Sequence, residues 1–342
     1  MEFKPSSITQ FLELNLTYHT QGKRIWEKQY NLPRMGLGLR YLDLAQPSEI
    51  LGNGYTFFPF IDFGLFQKQT SSLRFMIACG FAYLDKIYHI KYNPHQTAIG
   101  SHWNNLTSFQ FRYEHQFYKS NFLFAGISLS HISNGAYQAP NLGLNFVSAT
   151  FGYSYHFKQS RSSANLLAQS EILSVIPTMY SKYSWGVEYG MTLKEGNTPG
   201  GPKFLIQWYM LDFGYQYNDY KSWRLGLEIE NNNLDSYFAS YSETSINKKA
   251  ASADGLRINS YLAHQWLFGN IGLTFRTGYE FKRNNNLDGY PIATKLDLCY
   301  VMPFQLISHV RPYLGFSLKA HLDTAEYIGL MAGLRFNKKK TT

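Results

Sequence analysis

Residues 107–117 place Phe109, Phe111, Tyr113, His115 and Phe117 on one parity and Ser108, Gln110, Arg112, Glu114 and Gln116 on the other. Successive side chains of a β-strand point to opposite faces, so this period of two describes a strand with one apolar and one polar face. The pattern recurs along the chain: Phe57, Ile61, Phe63 and Leu65; Phe75, Ile77, Phe81 and Tyr83; Trp185, Val187, Tyr189 and Met191; the run from Leu205 to Tyr217; Trp223, Leu225, Leu227 and Ile229; Ile271, Leu273 and Phe275; Ile328, Leu330, Leu334 and Phe336. A soluble sandwich also alternates, but its outer face is charged. Here Phe and Tyr crowd nearly every strand. Aromatic residues make up 17% of the chain and charged residues only 16%, while mean hydropathy stays slightly negative at −0.30. No run approaches the 18 or so apolar residues that a spanning helix needs. The fold class expected is therefore all-β, a transmembrane antiparallel β-barrel whose strands average lipid-facing and lumen-facing side chains to near-neutral hydropathy.

The connections agree. From 33–43 onward, 14 candidate strands follow, each near the ~9–11 residues that a tilted strand needs to cross a bilayer. Short links at 68–72, 119–120, 218–222 and 267–270 interleave with long ones at 44–54, 89–103, 132–144, 231–256 and 283–293. Short turns on one side and long loops on the other is the asymmetry of outer-membrane barrels. Two segments disturb the count: 8–20 reads as an extra strand, and 158–184 is a long link on the short-turn side. The expectation is a single outer-membrane barrel over 1–342, of about 12–16 strands with 14 favoured. Whether 158–342 adds strands to that barrel or closes a second one stays open. A faint echo links the last hairpin to the segment around 122–157, with Asp323 where the first copy has Ser133; shared hairpin alternation accounts for it.

The formal charge of +9 suits rims that meet acidic lipid head groups. No basic run suggests nucleic acid, and Lys338, Lys339 and Lys340 read as a solvated tail. Cys79 and Cys299 lie in separate strand-like runs with neighbours that set them on opposite faces, so neither a disulfide nor a metal pair is expected. The start lacks a basic region followed by an apolar core, which in a barrel implies a mature or truncated chain.

One stretch carries chemistry. In HISNGAYQAPNLGLN, residues 131–145, the parity of Leu123, Ala125, Ile127 and Leu129 continues to His131 and Ser133. The parity of Val147, Ala149 and Phe151 extends back to Asn145. With the loop tip near Gln138, antiparallel pairing sets 131 opposite 145, where Cβ atoms are ~4.5–5.5 Å apart. A serine hydroxyl becomes a nucleophile when an imidazole takes its proton, and the imidazole works best when a third group fixes its ring. Ser133, His131 and Asn145 could fill those roles on the lipid-facing side of the outer rim. Asn134, Gly135, Asn141 and Gly143 offer nearby N–H donors for an oxyanion. Equally, Asn, Gly and Pro are ordinary turn formers.

His131-Ile132-Ser133-Asn134, followed by Pro140-Asn141-Leu142-Gly143-Leu144-Asn145, resembles the active-site segment of the outer-membrane lipid A 3-O-deacylase family, acyl-ester hydrolases built as small β-barrels. Ala98-Ile99-Gly100-Ser101 and the strand at 104–118 look like that family too, so the resemblance covers about 8–157. It implies His131 as base, Ser133 as nucleophile, and Asn141 with its adjacent loop as oxyanion donors. One departure stands out: the third triad member is a glutamate in that family, and the matching position here is Asn145. A Ser-His-Asn triad also resembles outer-membrane phospholipase A, a calcium-dependent enzyme, although no acidic ligand set is evident around this loop. Nothing resembling either family covers 158–342.

The resemblance thus implies an outer-membrane serine esterase, multi-pass and with its site toward the cell exterior, that removes the 3-O-linked acyl chain of lipid A without a cofactor. A phospholipase A and a non-catalytic porin or structural barrel are the alternatives. Its partners would be lipid A or another outer-leaflet lipid, with a homodimer left open. Among weaker candidates, His102, Trp103, Asn104 and Asn105 read as girdle or groove border. Asp85, Lys86, Arg74 and Arg224 read as parts of a lumen or rim network. Asp254-Gly255 and Asp288-Gly289 read as loop turns.

Overall fold

In the computed structural model, residues 7–45, 47–157, 180–196, 198–241, 255–282, 291–307, 309–321 and 324–339 are described. Fifteen strands lie among them. The first seven are β1 (Gln10–His19), β2 (Arg34–Asp43), β3 (Asn53–Gln67), β4 (Ser71–Leu84), β5 (Trp103–Tyr118), β6 (Asn121–Ser133) and β7 (Leu144–Tyr155), with a short helix α1 (Ile25–Gln29) after β1. They pair in sequence order as one antiparallel sheet of seven strands. The other eight are β8 (Tyr180–Glu195), β9 (Lys203–Asn218), β10 (Lys221–Asn232), β11 (Leu256–Phe268), β12 (Ile271–Lys282), β13 (Ile292–Val301), β14 (Val310–His321) and β15 (Thr324–Lys339), with helix α2 (Asn233–Tyr241) between β10 and β11. These form a closed barrel, because β15 pairs with β8.

The all-β architecture expected from the alternation is present, but not as one ring. The strands β2 to β15 are the 14 counted from residue 33 onward, and segment 8–20 supplies β1. The correction is in how they close. A ring is completed when a strand edge finds a partner, and β15 finds β8 rather than an N-terminal strand. Eight strands enclose an interior that side chains can fill. The break falls in the long link that spoiled the alternation of connection lengths; residues 158–179 of that link, with Asp254, Asp288, Gly289 and Asp323, lie outside the described residues.

The seven-stranded sheet buries its even-numbered side chains on β5 and β6 and presents the odd ones. Leu123, Ile127 and Leu129 on β6 are exposed, as are Leu37, Leu39, Phe57, Phe81, Phe111, Val147 and Phe151 on neighbouring strands. Its inner face is divided by height. Toward the long loops lies an apolar cluster that includes Leu42, Leu44, Phe58, Leu84, Ile99, Leu106 and Ile132. Toward the short turns the interior is ionic: Asp62 accepts from Arg74 Nε at 2.7 Å and from Arg112 Nη2 at 3.0 Å, and Arg34 meets Glu114 at 2.7 Å. Between the two zones, Arg40 donates to Ser130 Oγ at 3.1 Å. At the turn side the sheet curls far enough that the rings of His19, at the end of β1, and His156, just past β7, stand 4.7 Å apart edge to face.

The closed barrel is filled by ion pairs that cross its lumen. In the ring order, β8 stands opposite β12, β10 opposite β14, and β11 opposite β15. Arg276 of β12 reaches Glu188 of β8 at 3.0 Å. Lys319 of β14 reaches Glu230 of β10 at 2.9 Å, and Arg257 of β11 reaches Glu326 of β15 at 2.7 Å. Arg335 donates to Gln265 Oε1 across the same axis at 2.6 Å. Arg224 pairs with Asp212. Arg74 and Arg224 therefore belong to interior polar networks, as their parity suggests. Cys79 and Cys299 are free.

Candidate active site

Strands β6 and β7 pair with His131 directly opposite Asn145. Alternation on each strand and the hairpin between them fix that register, since a slip of one residue would turn every apolar side chain to the wrong face. The two side chains meet: His131 Nδ1 lies 2.8 Å from Asn145 Oδ1. A carboxamide oxygen can only accept, so Nδ1 carries the proton and Nε2 keeps its lone pair. The ring is thereby held in the tautomer that a general base needs.

Ser133 continues the outward parity of β6 two residues further, and its partner on β5 is Asn105. A step of two along a strand is about 6–7 Å. Among the described residues no hydrogen bond joins the Ser133 hydroxyl to the His131 ring. Ser133 is only 2% exposed, whereas the odd positions 123–129 on the same face are open. The end of β6 is thus covered on both faces, with Ile132 and Asn134 also buried.

Both ends of the 134–143 loop are tied down at this strand end. The Asn134 N–H donates to Asn141 Oδ1 at 2.9 Å, closing the loop on itself, and Asn134 Nδ2 donates to Ser101 Oγ at 2.8 Å. The Gly143 N–H donates to Ala98 O at 3.0 Å. Two of the four backbone or side-chain positions expected to offer oxyanion donors therefore spend their backbone N–H inside the loop structure. The Asn141 carboxamide N–H2 is the donor on this part of the sheet that these bonds do not consume. Gly143 has φ +78°, and a Cβ there would stand 2.7 Å from His131 Cε1. Only glycine takes both that backbone and that closeness to the ring without strain.

The neighbouring candidates separate. Trp103 is 69% exposed and packs edge to face on Tyr83, as a girdle residue does. His102 stacks on Tyr83 and its Nδ1 lies 2.7 Å from Leu84 O. Asp85 accepts the Asn53 N–H at 2.6 Å at the base of the loops. Asn105 is nearer the site than its sequence context suggests, being the cross-strand partner of Ser133, and Thr107 is the partner of His131. Asn105 donates to Gly80 O at 3.2 Å and accepts from Thr107 Oγ1 at 3.1 Å. Its alternation parity was the available signal. Among the described residues no group of three or more His, Cys, Asp or Glu side chains could hold a metal ion.

The geometry of this hairpin coincides with a sequence family. Residues 10–154 match the family of lipid A 3-O-deacylase, PagL. The match begins on the first residue of β1 and ends one residue short of the end of β7, so the deacylase-like part is the seven-stranded sheet. This family and the barrel architecture are those of an outer-membrane protein. No curated protein matches the chain. Among solved structures, CdiB from Escherichia coli aligns with 7% identity and a TM-score of 0.21, over 96% of this chain and 59% of that one. The alcaligin receptor FauA from Bordetella pertussis aligns with 11% identity and a TM-score of 0.24, over 96% and 60%. A Rhodopseudomonas blastica porin mutant aligns with 10% identity and a TM-score of 0.17, over 96% and 90%. The chain thus spans about 60% of the length of the first two of these barrels.

Proposed function

We propose that the chain is an outer-membrane serine esterase that hydrolyses the 3-O-linked acyl ester of lipid A, with Ser133 as nucleophile, His131 as base and Asn145 as the residue that orients the ring. The observation that carries this reading is the 2.8 Å contact between His131 Nδ1 and Asn145 Oδ1, inside a segment that matches the deacylase family. With Nδ1 anchored, Nε2 is the atom left to take the Ser133 proton. The Ser133 oxygen attacks the acyl carbonyl, and the Asn141 carboxamide is the donor for the resulting oxyanion. His131 passes the proton to the leaving sugar hydroxyl, and water then releases the fatty acid from the acyl-enzyme. Because His131 and Asn145 lie on the outward face of the sheet, the ester arrives laterally from the membrane, on the long-loop side assigned to the cell exterior. No cofactor enters the scheme.

An asparagine as third member also suits a phospholipase A. That reading calls for calcium, so addition of calcium is one arm of the test. The test is release of fatty acid by the purified protein from lipid A and, separately, from phosphatidylethanolamine. Release from lipid A alone, abolished by Ser133→Ala, is the expected result. Release from phosphatidylethanolamine alone identifies a phospholipase, and release from neither leaves a non-catalytic barrel.

A further inference from the structure

Two hydrogen bonds tie the ends of the 134–143 loop to one short segment, 98–104, which covers the end of the β4–β5 connection and the first two residues of β5. At the start of the loop, Asn134 Nδ2 donates to Ser101 Oγ at 2.8 Å. At its end, the Gly143 N–H donates to Ala98 O at 3.0 Å. The first of these residues follows the nucleophile, and the second lies against the His131 ring. Segment 98–104 is itself rigidly made. Asn104 Nδ2 donates to Ser101 O at 2.8 Å and His102 O at 3.1 Å, and Ser101 Oγ donates to Trp103 O at 3.0 Å. That donation turns the hydroxyl hydrogen away from Asn134 and leaves an oxygen lone pair facing it. Ser101 is 8% exposed, Asn104 5% and Ile99 0%. Buried polar side chains that satisfy each other in this way specify one geometry, because any other leaves a buried group without a partner.

We infer that Ser101 is a positioning residue for the proposed deacylation: its hydroxyl oxygen fixes Asn134, and through the Asn134 N–H to Asn141 Oδ1 bond of 2.9 Å it fixes the Asn141 carboxamide that receives the oxyanion. Ser101 does not touch the substrate. It sets where the donor stands when charge develops on the carbonyl oxygen, and so acts on the transition state more than on ground-state binding. This inference rests on the function proposed above.

The experiment compares the unmutated protein with Ser101→Ala, Ser101→Thr, Asn134→Ala and the Ser101→Ala/Asn134→Ala double variant, assayed on purified lipid A and expressed per folded, heat-modifiable barrel. Ser101→Ala is expected to lower kcat about 10- to 100-fold with KM within twofold, as loss of one transition-state interaction does. Ser101→Thr, which keeps the oxygen, is expected to recover most of the rate, and the double variant to be little worse than either single one. A Ser101→Ala protein with unchanged kcat, one whose KM alone rises, strictly multiplicative losses in the double variant, or failure of Ser101→Ala to fold would each overturn the positioning role. No release by the unmutated protein would instead overturn the deacylase reading, and the inference with it.

Discussion

At the scale of single residues, the site depends on an imidazole whose orientation comes from a neutral partner. Asn145 can accept from Nδ1 and hold the tautomer, but it carries no charge to offset the imidazolium that the proposed deprotonation of Ser133 would form. Its contribution is geometric, and Asn145→Ala is expected to lower kcat on the order of 100-fold while leaving the barrel folded; a loss within twofold contradicts the assignment. Gly143 lies against the same ring. A methyl group there would stand 2.7 Å from His131 Cε1 on a backbone at φ +78°, a conformation that costs a non-glycine residue about 1–2 kcal/mol. Gly143→Ala should therefore displace the ring and lower kcat at least tenfold, measured on folded protein. The His131 and Asn145 pairing was legible from the residues alone, since period two on both strands leaves one register for the hairpin. The contacts of Ser101 and Asn104 were not, because contacts between connecting segments follow from no periodicity. Nor could parity foretell that the Asn134 and Gly143 N–H groups serve the loop rather than an oxyanion.

At the scale of elements, the seven-stranded sheet places an apolar cluster beneath the site and an ionic one toward the turns. Leu106 and Ile132 are fully buried on the inner face, next in sequence to Asn105 and Ser133 on the outer one, so the strand ends that hold the proposed site are anchored from inside. The ionic zone turns on Asp62, which is fully buried and shared by Arg74 and Arg112. Removing the acid from a buried ion-pair cluster leaves its cations uncompensated, typically at a cost of about 3–5 kcal/mol. Asp62→Ala should lower the unfolding transition of the protein in detergent accordingly, whereas an unchanged transition would mean that water reaches these arginines. The strands themselves were readable because each repeats the same two-faced pattern. Which strands share a ring was not, since the pairing of β15 with β8 joins residues more than a hundred positions apart and any outward-apolar strand offers the same edge. The one visible warning was the long link at 158–184, on the side where turns are otherwise short.

At the scale of the whole molecule, a chain of 342 residues combines a deacylase-like sheet with a closed eight-stranded barrel of different interior. In that barrel, side chains from opposite strands meet across the axis at several heights, at Gln265 and Arg335, at Glu188 and Arg276, and at Glu230 and Lys319. Such a lumen is occupied by protein rather than by a water column. The protein reconstituted in a planar bilayer is expected to give no stepwise conductance; porin-like steps would contradict the ion-pair account of the barrel interior. What joins the account together is the claim that Ser133 cleaves an acyl ester of lipid A. Mass spectrometry of lipid A from cells making the unmutated chain, set beside cells making Ser133→Ala at equal levels of folded protein, tests it most directly. Loss of one 3-O-linked acyl chain in the first and not the second is the predicted result, and identical lipid A in both would contradict it.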